Sequence, residues 1–370
     1  MKTLNNIYRQ GKSREVSCQR QIQLSVVNGE ANCKTLIVNC LVILLLASAS
    51  FTAVAQPPQF SQYYASPLLI APSFAGNSLG SRAFLSFRDQ WANLPGSYVT
   101  YSVAIDNNFY ALNSGFGLVA MHDVAGSARY GTTSAKALYS YRFNFNDQWR
   151  IRPGISFAFT QRGLFGKALW GDMIDVTGEA GNSIEPPVTP YNYFDASSSV
   201  VAYNSRMWFG LCVDRLLRPN TSISRLDARA PMYWLQFGGI NFPMTSRVGK
   251  PAEVITFNYL FKMSQNIRQM DLGLNWYHAP LLLGFAWRGF MVERNTYDAI
   301  IFTIGLAFNN LAFNYSYDYT ISGLGAPSGG SHEVTLSISF GEGGRPQRRD
   351  AIPCPDVVKF RMFGDNESFR

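Results

Sequence analysis

The chain has 370 residues, of which 47% are hydrophobic and only 15% are charged, and its formal net charge is +8. About half of that positive charge lies in the first 55 residues, so the rest of the chain is too weakly basic to indicate a nucleic-acid partner. Beyond residue 55 only Cys212 and Cys354 remain, which excludes a disulfide-rich scaffold, and no apolar run approaches the roughly 20 residues of a membrane helix.

The first predicted element is a secretory signal. Residues 35 to 55, TLIVNCLVILLLASASFTAVA, are an apolar run that ends in Ala53-Val54-Ala55 and follows basic residues such as Lys34. This order predicts a signal peptide over 1–55 and a mature chain that begins at Gln56. The stretch before the apolar run is long for such a signal, which is consistent with a translation start further along the chain. An uncleaved membrane anchor is the alternative.

The next segment, 56–81, contains QFSQYYASPLLIAPSFAGN at 59–77. Pro67 and Pro72 exclude one continuous helix and exclude an interior strand, because proline has no backbone N–H to donate. Many side chains here are nevertheless large and apolar, and they need burial: Phe60, Tyr63, Tyr64, Leu68, Leu69, Ile70 and Phe74.

The rest of the chain alternates with the period of a β-strand. In VTYSVAID at 99–106, in FTIGLAF at 302–308 and in EVTLSISF at 333–340, large apolar residues lie on one face and small or polar residues on the other. The polar face of a soluble sandwich is rich in Lys and Glu, whereas this one is rich in Ser, Thr, Gly, Asn and Tyr. Lipid outside and a wet lumen inside explain this composition better, so the pattern predicts a transmembrane antiparallel β-barrel over 82–340.

We predict about fourteen strands, an even number, which suits a closed antiparallel barrel. The strands are expected near 82–91, 98–106, 113–122, 132–145, 149–161, 195–203, 206–214, 232–240, 252–262, 267–277, 281–289, 298–308, 311–321 and 331–340. Turns after even-numbered strands are short and are predicted to face the periplasm, as at Asn204-Ser205 and Asn309-Asn310. Longer connections at 162–194, 215–231 and 322–330 are predicted to be external. The long connection 241–251 is the exception on the periplasmic side.

Two details follow from this architecture. Trp91, Trp149 and Trp276 lie at or near predicted strand ends, where aromatic girdles occur. A fourteen-stranded lumen is too wide for its inward side chains to fill. Segment 56–81 is therefore predicted to fill the lumen or its periplasmic mouth as a plug, or to form an ordered strap with no gating role. Cys212 is predicted to face the lumen.

Motifs that carry chemistry are weak. His122, His278 and His332 are isolated, and none has metal-ligand spacing. Asp172 and Asp175 could share a cation, but we interpret them as acidic residues of a solvated loop. No Ser, His and acid arrangement indicates catalysis, so we expect no enzyme activity, no cofactor and no metal.

With these elements in place, several motifs resemble the PorP/SprF family of outer-membrane proteins, which is associated with the type IX secretion system of Bacteroidetes. They occur in the family's order: QFSQYYASPLLIAPSFAGN, FRDQWANLPGSYVTYSVAID, GFGLVAMHD, YSYDYT and GGSHEVTLSISF. The motif positions are Phe60, Gln62, Tyr63, Pro67, Leu68, Pro72 and Gly76 in the N-terminal segment, and Ser331, His332, Glu333 and Phe340 in the closing strand. His332 and Glu333 are expected to fix the start of that strand. Residues 341–370 continue past the usual family end and are predicted to be a periplasmic tail.

The resemblance implies a non-enzymatic integral outer-membrane barrel that supports export or cell-surface anchoring of a large secreted protein or adhesin. The implied partners are the lipid bilayer, a secreted protein with a type IX sorting domain, and periplasmic ring or peptidoglycan-binding components, with no nucleic acid. The alternative is a plugged transport channel, either fatty-acid-transporter-like or a small-solute porin. A channel predicts an open or ligand-gated lumen, and an anchoring barrel predicts a closed one.

Overall fold

The computed structural model describes residues 59–78, 80–126, 129–164, 189–222, 227–247, 250–265, 267–289, 297–308, 310–323, 325–340 and 352–353. The predicted signal segment, Asp172, Asp175 and Cys354 lie outside these ranges, as does all of the predicted tail except Ile352 and Pro353.

The described residues form a closed antiparallel barrel, as the alternating pattern predicts. Its strands are β1 (Ser81–Gln90), β2 (Tyr98–Phe109), β3 (Ser114–Ala125), β4 (Tyr130–Tyr141), β5 (Phe143–Asn144), β6 (Arg150–Leu164), β7 (Tyr191–Tyr203), β8 (Met207–Asp214), β9 (Tyr233–Arg247), β10 (Lys250–Ser264), β11 (Ile267–His278), β12 (Leu281–Gly289), β13 (Ala299–Phe308), β14 (Leu311–Thr320) and β15 (Ser331–Phe340). Two-residue β5 continues β4, and both pair with β6, so the wall has fourteen strands. β1 pairs with β15 from Ser81↔Phe340 to Gln90↔Ser331, which closes the barrel.

One predicted connection is wrong. Residues 241–251 are not a long loop, because β9 runs on to Arg247 and β10 begins at Lys250. Pro243 and Pro251 suggest a break in the sequence, yet both lie in the β9–β10 ladder. The register shifts between Pro251 and Val254, and such bulges accommodate residues that cannot donate to the ladder. The connection therefore joins the other short turns at this end of the barrel, which we call the short-turn end. The opposite end, where β6 ends and β7 begins and where β8 ends and β9 begins, is the long-connection end.

The two faces of the wall differ as predicted. On β13, Phe302 and Ile304 are 53% and 47% exposed, whereas Thr303 and Ala307 are 7% and 0% exposed. From Phe302 onward, large apolar side chains therefore point outward along the strand and small or polar ones point inward, whereas Ile301, 2% exposed, is an apolar side chain on the inward face. None of the helical turns in the described residues has the length and apolar character of a membrane-crossing helix.

Aromatic residues lie at the strand ends. Trp91 follows β1 directly and packs edge-on against Tyr98, with ring centroids 5.3 Å apart. Trp149 directly precedes β6, and near the end of β11 Trp276 stacks on His278, with centroids 5.8 Å apart. These positions fit the aromatic girdles of a membrane barrel.

The outward face of β13 gives a depth-dependent prediction. We expect Ile304→Arg, in the middle of the strand, to lower the free energy of unfolding in lipid vesicles by about 2 to 4 kcal/mol. Phe308→Arg, at the strand end on the same face, should cost only about 0 to 1 kcal/mol, because an arginine there reaches the interface. Denaturant titration of both variants measures the difference. Equal costs at the two depths would contradict a membrane-spanning wall here.

The unequal ends give a prediction about orientation. An epitope tag inserted between residues 165 and 188 should be reached by antibody on intact cells. The same tag between Asn204 and Ser205, in the turn between β7 and β8, should be reached only after the outer membrane is permeabilised. Labelling of the Asn204 site on intact cells would reverse the assignment of inside and outside.

Candidate functional site: the occupied lumen

Residues 59–78, which we call the lumenal segment, form no strand and lie inside the barrel. The segment makes two 3-10 turns, Pro67–Leu69 and Pro72–Phe74, and each begins with a proline. Proline suits that position because its fixed φ matches the first helical turn and its missing N–H needs no partner there. Ile70 N donates to Pro67 O and Ala75 N donates to Pro72 O, each at 3.0 Å, which closes the two turns.

The segment runs from one end of the lumen to the other. Its first residues contact Arg88, Asp318 and Glu333, which lie in the parts of β1, β14 and β15 nearest the long-connection end. Its last residue contacts the other end, where Asn108 Nδ2 donates to Ser78 O at 3.0 Å. The segment therefore occupies the length of the barrel interior and is not confined to its short-turn mouth.

A buried ion cluster lines the long-connection half of the lumen. It consists of Arg88, Asp271, Arg288, Asp318 and Glu333, each with a side chain at most 3% exposed. Arg88 Nη2 and Arg288 Nη1 approach Asp318 Oδ2 at 2.8 and 3.1 Å. Arg88 Nη1 lies 3.0 Å from Glu333 Oε2, and Arg288 Nε lies 3.2 Å from Asp271 Oδ1. The cluster thus links β1, β11, β12, β14 and β15 along one continuous arc of the wall.

Ser61 and Gln62 attach the lumenal segment to this cluster. Their backbone N–H groups donate to the two carboxylate oxygens of Glu333, Ser61 N to Oε2 at 2.7 Å and Gln62 N to Oε1 at 2.9 Å. Ser61 Oγ donates to Asp318 Oδ2 at 2.5 Å and accepts from Arg88 Nη1 at 2.8 Å and Arg288 Nη2 at 2.9 Å. Buried carboxylates are costly unless they are paired and hydrogen-bonded, so these contacts stabilise both the cluster and the segment.

Close backbone packing holds the segment further down. At Gly115 on β3 an added Cβ would collide with Ala75 O, and at Gly154 on β6 it would collide with Ser73 N. The absence of a side chain at these two positions lets the segment lie directly on the wall. Ser73 N donates to Ser199 Oγ at 2.8 Å, and Ser140 Oγ donates to Ala75 O at 2.7 Å.

Comparison with known proteins identifies the family. The model of the family described as "Type IX secretion system membrane protein PorP/SprF" matches residues 52–338. The chain belongs to the PorP/SprF family. Its barrel is an integral outer-membrane protein, as the sequence resemblance implies. No curated protein sequence matches this chain.

Several solved structures are similar at low identity. The Ralstonia pickettii toluene transporter TbuX is 10% identical, with a TM-score of 0.45 over 75% of this chain and 94% of that one. The P. putida toluene transporter TodX gives the same four values. A Pseudomonas aeruginosa FadL homologue is also 10% identical, with a TM-score of 0.38 over 70% of this chain and 90% of that one.

The family's N-terminal motif positions are located in the lumen. Phe60, Gln62, Tyr63 and Leu68 are at most 8% exposed. Pro67 and Pro72 begin the two 3-10 turns, and Gly76 has a φ of +63°, a conformation that side chains disfavour. The motif residues thus contribute the turns, the buried surface and, from Gln62, two hydrogen bonds to Glu333.

The closing-strand motif positions of this PorP/SprF chain divide between the two faces of β15. Ser331 and Glu333 are buried and point inward. His332 points outward, where its Nδ1 lies 2.9 Å from Tyr315 Oη. Phe340 ends the strand and is 48% exposed. Of these four residues, Glu333 is the one that hydrogen-bonds to the lumenal segment in the part of the chain that the structure describes.

Sequence reasoning missed most of the ion cluster. Arg88 and Asp318 occur inside the motifs FRDQW and YSYDYT, and Asp271 and Arg288 are single charges on the inward faces of β11 and β12. A charge on the inward face of a strand is the available signal. Asp271 and Arg288 are opposite each other in the β11–β12 hairpin, so its register could have paired them. Arg88 and Glu333 become neighbours only when β1 pairs with β15, and Asp318 lies two strands from both of its arginine partners. Cys212 faces inward as predicted and is 2% exposed, in a buried cluster with Trp208. In the described part of the chain, no three His, Cys, Asp or Glu side chains are grouped to hold a metal ion.

Proposed function

We propose that this barrel is a non-enzymatic part of type IX secretion that supports export, or cell-surface anchoring, of a large secreted protein or adhesin. The observation that carries the proposal is the lumenal segment, which spans the barrel interior and is tied to a buried ion cluster through Ser61 and Gln62. In this role the segment acts as a plug. An anchor does not need an open lumen, whereas a solute channel does.

The proposed contact surface for the secreted partner is the long-connection end. Exposed apolar residues there include Leu94, Leu217 and Tyr297, which are 36%, 59% and 51% exposed. Exposed aromatic and aliphatic side chains of this kind favour contact with another protein. At the short-turn end, we propose contacts with periplasmic ring or peptidoglycan-binding components.

The test uses a reporter protein fused to a type IX sorting domain. Cells that lack this barrel should lose surface-retained reporter, which should accumulate in the medium or in the periplasm. The wild-type gene should restore display, and so should the control variant Phe308→Arg, which changes only the outer face. Normal display in cells without the barrel would contradict the proposal.

A cavity favours a second candidate function. The cavity has a volume of about 120 Å³ and lies between the lumenal segment and the wall, with mostly apolar lining such as Phe60, Leu69 and Leu260 and the ammonium-bearing Lys262. A transport channel, whose lumenal segment moves to admit a small solute, would use such a space. In that case loss of the barrel should reduce solute uptake and leave reporter display unchanged.

A further inference from the structure

Two residues of the predicted tail lie inside the barrel. Ile352 follows the last strand by twelve residues, yet it is 0% exposed. It belongs to the same buried apolar cluster as Phe74 of the lumenal segment and Tyr203 and Phe237 of the wall. The tail therefore contributes to the lumenal core.

Both ends of the dipeptide Ile352-Pro353 are recognised through the main chain. Ile352 N donates to Asn77 Oδ1 at 2.6 Å, and Asn241 Nδ2 donates to Pro353 O at 2.8 Å. Thr256 Oγ1 in turn donates to Asn241 Oδ1 at 2.7 Å, which fixes the orientation of that amide. Asn77 belongs to the lumenal segment and Asn241 to β9, so the dipeptide bridges the segment to the wall.

The composition of the dipeptide suits burial. Proline has no N–H, so the pair carries a single backbone donor, and Asn77 satisfies it. The isoleucine side chain fills apolar space, and the paired carbonyl of Pro353 avoids the cost of an unsatisfied buried acceptor. The site formed by Asn77 and Asn241 therefore fits an apolar residue followed by proline.

The place where Ile352-Pro353 binds indicates how it could affect the lumenal segment. Asn77 is fully buried and lies four residues before β1, where the lumenal segment joins the wall. Asn77 lies on the segment side of this junction, so it moves with any outward swing of the segment that pivots on the residues just before β1. We propose that Ile352-Pro353 is a lock that holds the lumenal segment in the barrel, so that release of the segment requires prior release of the tail. The lock deepens the proposed function, because it rests on the segment acting as a plug.

Hydrogen exchange of the full-length protein in lipid tests the lock. Ile352→Asp places a carboxylate in apolar surroundings and should expel the dipeptide. Backbone amides of residues 71–78 should then exchange at least tenfold faster, whereas Ile352→Val, which keeps an apolar side chain, should leave their exchange within about threefold of wild type. The heat-modified electrophoretic shift of a folded barrel checks that both variants fold. Unchanged exchange in a folded Ile352→Asp barrel would overturn the proposal.

A crosslink tests the lock without disturbing its apolar contact. Cysteines replace Asn77 and Pro353 in the variant Asn77→Cys with Pro353→Cys and Cys354→Ser. This variant loses the hydrogen bond from Ile352 N to Asn77 but keeps the Ile352 side chain, and Cys212 stays because it is 2% exposed. A short bismaleimide should join the two new cysteines in folded protein and should slow exchange of residues 71–78 to or below the wild-type rate. Absence of the crosslink in a folded barrel would overturn the proposal, whatever the Ile352→Asp result.

The lock and the proposed function fail separately. If exchange rises in Ile352→Asp but the reporter is displayed normally in cells without the barrel, the lock stands and the secretion role falls. If exchange is unchanged while display depends on the barrel, the secretion role stands and the lock falls.

Discussion

Deletion of residues 57 to 77 is expected to leave a folded barrel with a much higher ion conductance in a planar bilayer than the intact protein. The segment contributes no strand to the wall, so the closed ladder from β1 to β15 should persist. The lumen would then fill with water. Burial of one Leu or Phe side chain contributes about 1.5 to 3 kcal/mol, so residues such as Leu68 and Phe74, at 3% and 1% exposed, should keep the intact lumen closed.

A deletion of similar length provides the control. Removal of residues 166 to 186, between β6 and β7, should leave the conductance low because the lumenal segment remains in place. If the intact protein already conducts like an open porin and the deletion changes nothing, the plug role is wrong and the channel becomes the preferred function. Loss of folding on deletion would mean that the segment is required to build the wall.

The second large effect is expected for Arg288→Met. Its guanidinium pairs with Asp271 and Asp318 and donates to Ser61 Oγ at 2.9 Å. Asp318 keeps Arg88 as a partner, but the salt bridge to Asp271 is lost while that carboxylate stays buried. Breaking a buried pair from one side costs about 3 to 5 kcal/mol. We expect a decrease of this size in the unfolding free energy, measured by denaturant titration in lipid.

An exposed arginine gives the matched control. Arg229 lies 3.4 Å from Asp227, with side chains 67% and 77% exposed, so Arg229→Met should cost at most about 1 kcal/mol. Adding Asp271→Asn to Arg288→Met should recover part of the lost stability, because the amide carries no charge to bury. Similar costs for Arg288→Met and Arg229→Met would show that the cluster does not stabilise the barrel.

The wall could be predicted from the sequence because its signal is local. Alternation within single segments such as 302–308 places each side chain on the lipid face or the lumen face without knowledge of its neighbours. The one wrong connection, 241–251, contains Pro243 and Pro251, which normally end strands. The ladder accommodates them with a register shift that depends on the pairing of β9 with β10.

The candidate site was predictable only in part. Pro67 and Pro72 exclude the N-terminal segment from the wall, and its apolar residues require burial, so a place in the lumen or its mouth follows. The sequence does not predict which wall residues the segment contacts. Arg88 and Glu333 are 245 residues apart. Arg88 shares its inward face with Arg82 and Phe84, and Glu333 is a single inward charge among Ser and Thr, so neither strand alone indicates the partner.

The sequence by itself determined the barrel class, the fourteen wall strands, the outward and inward faces, and an N-terminal segment outside the wall, because each depends on residue types over a few neighbouring positions. Only the tertiary structure decided which inward charges form the ion cluster, the length of lumen that the segment spans, and the return of Ile352 to Asn77. The physical reason for this difference is that the barrel closes on itself. Pairing of β1 with β15 brings residues from opposite ends of the chain into one enclosed space, where burial makes their contacts strong.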